Sequence, residues 1–324
     1  MTESTALTLD GLSLLMVWTA IGVYALAFAA YAIDLAVRVS RVEVPAAELV
    51  TVGAPGPPVA APVQLQVPPR DRERLVWARI GTALTILGFV LQLSGDVLRG
   101  IAAARVPWAN MYEFALTGTL LIVGVFLFAL RRYDLRFLGS FLLGMVVLLL
   151  GGATLAFYVE VTPLMDPLRS VWLVIHVFVA SLATALFAIA CGLSVTQLLQ
   201  HRRENRPSVT TRRGLLRTLP TSENLEALAY RFAIIGFIFW TFTLIAGAIW
   251  ANDSWGRFWG FDTKEVWTFI IWVLYAGYIH ARATRGWRGN RSAWLSIVGF
   301  AAVLFNFTAV NIFFKGLHAY SGLN

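Results

Sequence analysis

Eight long apolar runs, each close to the roughly 20 residues a helix needs to cross a hydrocarbon layer, leave this chain few ways to fold. They cover about residues 11 to 36, 76 to 94, 112 to 130, 137 to 158, 171 to 198, 229 to 249, 266 to 284 and 293 to 314. In lipid the backbone N–H and C=O groups find no water, so single runs of this length must satisfy them internally, as helices. The expected fold is an all-α, polytopic membrane protein of eight spans. Composition agrees: 58% of the 324 residues are hydrophobic and 14% charged, which excludes an ordinary soluble catalytic domain.

Arginine orients these spans. Arg38, Arg41, Arg70, Arg72 and Arg74 follow the first run, and Arg131, Arg132 and Arg136 the third. Arg202, Arg203, Arg206, Arg212, Arg213 and Arg217 follow the fifth; Arg282, Arg285, Arg288 and Arg291 follow the seventh. Basic connections stay cytoplasmic, so both termini are expected on the outer side of a plasma (inner) membrane. The net charge of +8 is then a topology signal and implies no nucleic-acid partner. The alternate connections hold only scattered arginines, among them Arg99 and Arg105. The first run lacks a basic flank and a small-residue cleavage site before it, so it reads as a retained helix. Seven prolines between Pro45 and Pro69 mark an extended cytoplasmic linker. The expected division is a first helix (1–36), a linker (37–75) and a membrane domain (76–324).

The chemistry concentrates in one polar interruption, residues 250–267, where Trp250, Trp255, Trp259 and Trp267 fall within eighteen positions. A membrane-interface belt enriches tryptophan, but it has no need of Gly256, Gly260 and the Asp262-x-Lys264-Glu265 cluster between the rings. The loop is expected to form a platform for a large, flat, amphiphilic ligand, and haem fits that description. Of four histidines, His176 lies one turn inside the fifth span and His318 just beyond the eighth, both at the boundary that carries the loop. They are either structural residues or the two imidazoles that bis-His ligation of haem iron requires. His280 lies thirteen residues past Trp267, about 20 Å along a helix, near the cytoplasmic boundary, where it is either solvated or functional. His201, beside Arg202 and Arg203, reads as solvated. Glu113 is either a first-turn helix charge or part of an outer site. Lys264 and Lys315 either meet a ligand carboxylate or snorkel to water. Cys191, the single cysteine, reads as a buried core residue. There is no Walker loop, zinc spacing, nucleophile elbow or Cys-x-x-Cys-His motif.

The sequence Trp250-Ala…Trp255-Gly256-x-x-Trp259-x-Phe261-Asp262-x-Lys264-Glu265-x-Trp267 resembles the tryptophan-rich WWD signature of the haem-handling proteins of cytochrome c biogenesis, in the CcsA/ResC branch of System II. Asn110-Met-Tyr112-Glu113, Trp172-Leu-Val-Ile-His176, Tyr275…Tyr278-Ile-His280 and Asn311…Gly316-Leu317-His318 extend the similarity. The family's tryptophan before the aspartate is Phe261 here, which keeps an aromatic face and loses the indole N–H. The resemblance implies non-covalent haem b held at the WWD loop with His176 and His318 as axial ligands. It implies a transmembrane haem-access site that includes His280 and is completed by a CcsB/ResB-type partner. Haem would then be attached to the Cys-x-x-Cys-His of an apocytochrome c, making the chain a subunit of a cytochrome c synthase. Two rivals remain: delivery of haem to a separate chaperone, as in the CcmC branch, which shares the motif, and a bis-His electron carrier, which would use the same ligation for a permanent cofactor.

Overall fold

The computed structural model describes residues 3–40, 76–161, 169–205, 219–284, 286–314 and 316–317. His318, Lys315 and most of the expected 37–75 linker lie outside the described residues. Among the described residues there is no strand, and the α-helices are α1 (Glu3–Ser40), α2 (Val76–Ala103), α3 (Met111–Ala129), α4 (Gly139–Ala156), α5 (Val171–Glu204), α6 (Ser222–Trp255), α7 (Thr263–Thr284), α8 (Asn290–Phe307) and the single-turn α9 (Ala309–Phe313). Each expected run coincides with a helix. Seven segments are long and apolar enough to cross a membrane, α8 and α9 counting as one. The remaining helix, α7, spans 22 residues but carries Lys264, Glu265, His280 and Arg282, which lower its hydropathy.

The first two helices pair through a seam that composition does not advertise. The buried positions of α2 are Ala78, Gly81, Thr85, Gly88, Gln92, Gly95, Arg99 and Ala102, alternately three and four residues apart, the spacing of a coiled-coil face. On α1 the matching set is Asp10, Ser13, Val17, Ala20, Tyr24, Ala27, Tyr31 and Asp34. The helices run antiparallel, with Tyr31 over Gly81, Tyr24 over Gly88 and Val17 over Gly95. A Cβ at Gly88 would stand 2.5 Å from the Tyr24 ring, so glycine is what lets the backbones approach. In lipid, close packing and interhelical hydrogen bonds replace the hydrophobic effect. Ser13 Oγ donates to the Gly95 carbonyl at 2.7 Å and Tyr24 Oη to Gln92 Oε1 at 2.7 Å.

The second half is organised around α5, which packs on α3, α6 and α8. From Ala183 to Ser194 every residue of α5 is buried, as a helix enclosed on all sides must be. Cys191 lies in this stretch, as its sequence context predicts. Phe187 stacks on Tyr275 of α7, ring centroids 3.7 Å apart.

The two ends of the bundle differ. At one end Glu226 of α6 accepts from Arg282 Nε at 3.2 Å and from the Gly289 N–H at 2.8 Å, while the Arg282 guanidinium lies 3.9 Å from the Tyr230 ring centre. The α7–α8 connection meets the end of α5 there, Gln197 Nε2 donating to the Gly289 carbonyl at 3.0 Å. The other end carries residues 250–267, where the expected loop shrinks to 256–262 because α6 continues to Trp255 and α7 begins at Thr263.

Candidate functional site

A cavity opens at the loop end, walled by α3, α5, α6, the loop and the start of α7, and closed by α8 and α9. Counting the open solvent at its mouth, the cleft encloses about 1070 Å³. Trp108, Phe114, Leu173, Val177, Trp240, Leu244, Trp250 and Phe258 give it apolar, largely aromatic walls. Its polar groups are few and convergent: His176, Thr243, Lys264, Glu265, Thr268, Asn306 and Asn311.

The loop owes its shape to helix-end chemistry. Gly256 adopts φ 68°, the left-handed conformation that ends α6, and its N–H bonds the Asn252 carbonyl at 2.9 Å. Asp262 then caps α7: its Oδ2 accepts from the Lys264 N–H at 3.3 Å, while Glu265 Oε2 accepts from the Asp262 N–H at 3.1 Å. This is a capping-box variant in which the Asp262 carboxylate takes the second rather than the third N–H of the helix, so two acidic residues that the sequence assigns to ligand contact also build the fold. Glu265 does more, accepting from the Gly260 N–H at 2.8 Å and from Arg257 Nη1 at 2.9 Å. A Cβ on Gly260 would collide with the Arg257 guanidinium, which packs into the space the glycine leaves. Phe261 sits at φ 58°, an uncommon conformation for a bulky residue, with its ring exposed and 6.0 Å from that of Trp259.

The tryptophans divide. Trp250 and Trp259 line the cavity. Trp255 stands edge-on behind Trp250, centroids 4.8 Å apart, and Trp267 turns away to pack on Phe305 at 4.4 Å. The single flat platform that four rings suggest is thus two lining rings, one buttress and one helix contact. Lys264 reaches across the cavity to Asn311 Oδ1 at 2.7 Å, its ammonium 5.7 Å from the Phe307 ring centre. Asp262 Oδ1 accepts from the Leu317 N–H at 3.1 Å, and a Cβ on Gly316 would collide with that carboxylate. The loop is thereby joined to the backbone directly preceding His318.

His176 lies in the cavity wall, half-buried between α5 and α6. Its Nδ1 is 2.9 Å from the Thr243 carbonyl oxygen and its ring stacks on Trp250 at 5.9 Å and 21°. His280 is exposed on α7, far from this cavity, and His201 bonds Asn205 Nδ2 through Nε2 at 2.8 Å near the end of α5.

Sequence reasoning missed the support behind the α3 wall. Arg99 is fully buried, with Nη1 2.5 Å from Asp10, Nε 3.0 Å from Glu113 and Nη2 2.7 Å from the Val159 carbonyl. Arg105 Nη1 reaches Glu113 at 2.7 Å, and Glu113 also accepts the Ala109 N–H at 2.8 Å. Asn110 caps α3 through the Glu113 N–H at 2.9 Å. Glu113 is therefore a first-turn residue and a structural hub at once, fixing the segment Trp108–Phe114 that faces the cavity. Two opposite charges so enclosed need each other, because a buried unpaired ion is costly. Reading Arg99 and Arg105 as scattered topology charges overlooked this.

An all-helical, multi-pass membrane protein with an aromatic cavity and the imidazole of His176 in its wall is the class that fold and site define. The Cytochrome C assembly protein family matches residues 108–318. A cytochrome c biogenesis protein CcsA of Prochlorococcus marinus (strain AS9601) is 35% identical over 266 residues, covering 75% of this chain and 84% of the relative. One from Guillardia theta is 32% identical over 263 residues, covering 76% and 86%. Among solved structures, the cytochrome c haem lyase CcmF superposes with a TM-score of 0.62 over 95% of this chain and 47% of that one, at 17% identity, a likeness of fold. The chain belongs to the cytochrome c assembly family, in its CcsA branch, and acts in cytochrome c maturation.

Proposed function

We propose that the chain binds haem b non-covalently in the loop-end cavity, on the outer face of the membrane, and presents it for attachment to the Cys-x-x-Cys-His of apocytochrome c. The observation that carries this reading is His176 in the wall of an aromatic cavity, with Nδ1 engaged by a backbone carbonyl. A carbonyl oxygen only accepts, so Nδ1 carries the proton and the lone pair resides on Nε2, the form of imidazole that ligates iron. Trp250, Trp259, Phe114 and Leu244 offer faces to a porphyrin plane, and Lys264 and Asn311 offer donors to its propionates. His318, one residue beyond the segment that Asp262 holds, supplies the second axial position.

Haem is the substrate here, and its vinyl groups supply the reactive carbons for thioether formation. The thiols belong to the client protein, so Cys191, enclosed in α5, takes no part. What the chain contributes is position: holding a reactant in register removes several kcal/mol from a barrier, about 7–11 in the best cases. A CcsB/ResB-type partner and the exposed His280 of α7 form the haem-access site toward the cytoplasmic side.

The test is His176→Gly in the protein purified with its partner. Haem that remains should show an altered absorbance spectrum and cytochrome c yield should collapse, with added imidazole restoring both. A wild-type spectrum and yield in His176→Gly would overturn the assignment.

A further inference from the structure

The side of α6 facing α5 carries Thr243, Gly247 and Trp250, four and three residues apart and so on one helical face. All three meet the imidazole of His176. The Thr243 carbonyl takes Nδ1 at 2.9 Å, Trp250 stacks on the ring at 5.9 Å, and a Cβ at Gly247 would stand 2.7 Å from Cε1 and 2.8 Å from Nδ1. No real Cβ makes contacts that short, and the atoms in the way belong to a ring already held on two sides.

We propose that this face of α6 is a seat that fixes the tautomer and ring plane of His176, with Gly247 as its positioning residue, a role that rests on the reading of His176 as an iron ligand. The seat works through three contacts with separate effects. The carbonyl accepts the Nδ1 proton and so leaves the Nε2 lone pair free to meet iron. The indole of Trp250 sets the plane of the imidazole. Gly247 admits the ring to hydrogen-bonding distance, and any side chain there moves the imidazole off the carbonyl, after which either nitrogen carries the proton. Because the acceptor is backbone, substitution of Thr243 does not remove it. Gly247 is the position at which the seat is open to mutation.

Two measurements test the seat, and the first needs no change to it. In the full chain without haem, with its four histidines labelled with nitrogen-15 and His176 assigned by its disappearance in His176→Gln, the His176 signals should be those of the Nδ1-protonated tautomer. An Nε2-protonated His176 would refute the seat. The second compares Gly247→Ala, His176→Gly and the double variant in the haem-loaded complex with partner. Gly247→Ala should retain haem but exchange its axial ligand for added imidazole at least tenfold faster than wild type. In the His176→Gly background the same substitution should change nothing further, because its effect passes through the imidazole. Unchanged ligand exchange in Gly247→Ala, or an equal effect in both backgrounds, would overturn the proposal. A His176→Gly spectrum identical to wild type would instead remove the ligand assignment, so the two failures are distinguishable.

Discussion

Asp262→Ala separates the two tasks of that carboxylate, and the structure sets the size of each. Oδ2 caps α7 through the Lys264 N–H, and Oδ1 holds the Leu317 N–H at 3.1 Å. Losing an N-cap costs about 0.5–2 kcal/mol, spread over a helix whose later turns pack on α6 and α8. A hydrogen bond to an ionised acceptor contributes about 1.5–3 kcal/mol, and Leu317 is 44% exposed, so water replaces part of it and the lower end applies. About 1.4 kcal/mol is a factor of ten; the detached population of the Gly316–Leu317 segment should therefore rise about tenfold. Hydrogen exchange at Leu317 in the full-length protein reads this directly. Asp262→Asn keeps a competent cap and a neutral acceptor, so its acceleration should stay near threefold or below on the same free-energy scale. Gly316→Ala should detach the segment from the other side, since its Cβ collides with the same carboxylate, and the two substitutions should not add. Leu317 exchange unchanged in Asp262→Ala, or fully additive effects with Gly316→Ala, would refute the tether.

Other expectations follow from the packing. Arg99→Met should destabilise the protein by about 3–5 kcal/mol in equilibrium unfolding, because Asp10 is left buried without its cation, and adding Asp10→Asn should recover part of that loss; an unchanged midpoint in Arg99→Met would show the network to be idle. Gly88→Leu should lower stability by about 1–3 kcal/mol by overpacking against Tyr24, with Tyr24→Ala relieving the clash; a Gly88→Leu protein as stable as wild type would contradict the seam. Cys191→Ser should leave cytochrome c maturation nearly intact, checked by client yield at matched protein levels.

Much of the architecture can be read from apolar run lengths, because lipid forces each run into a helix and the bilayer fixes its length. Where the helices end is written more finely: Gly256 stops α6 by its left-handed conformation, and Asp262-x-x-Glu265 starts α7 as a capping-box variant. That pattern is visible in sequence but competes there with a ligand-binding reading, and only the hydrogen bonds show that it is structural as well. The α1–α2 seam is likewise present as glycines seven apart at 81, 88 and 95, yet it escapes a search for repeats of 20 to 50 residues. For the site, tryptophan content points to the right loop but not to which rings face the cavity, since Trp267 and Trp250 differ only in what packs beside them. The buried Arg99–Glu113 hub needs three helices to exist, and no local pattern announces it.

Arg99 also bears on how the chain is assembled. Arg99 lies four residues from the end of α2, where a charge costs less than the roughly 2.5–3.5 kcal/mol of a helix centre, and it is synthesised before α3 brings Glu113. Its first counter-ion comes from upstream: Asp10 of α1 meets Arg99 across the glycine seam. The bonds from Ser13 to Gly95 and from Tyr24 to Gln92 lie wholly within α1 and α2, while Gln92 Nε2 goes on to donate to Leu116 and Thr119 of α3. A nascent α1–α2 hairpin thus already pairs Arg99 with Asp10 when α3 follows and brings Glu113 to complete the hub.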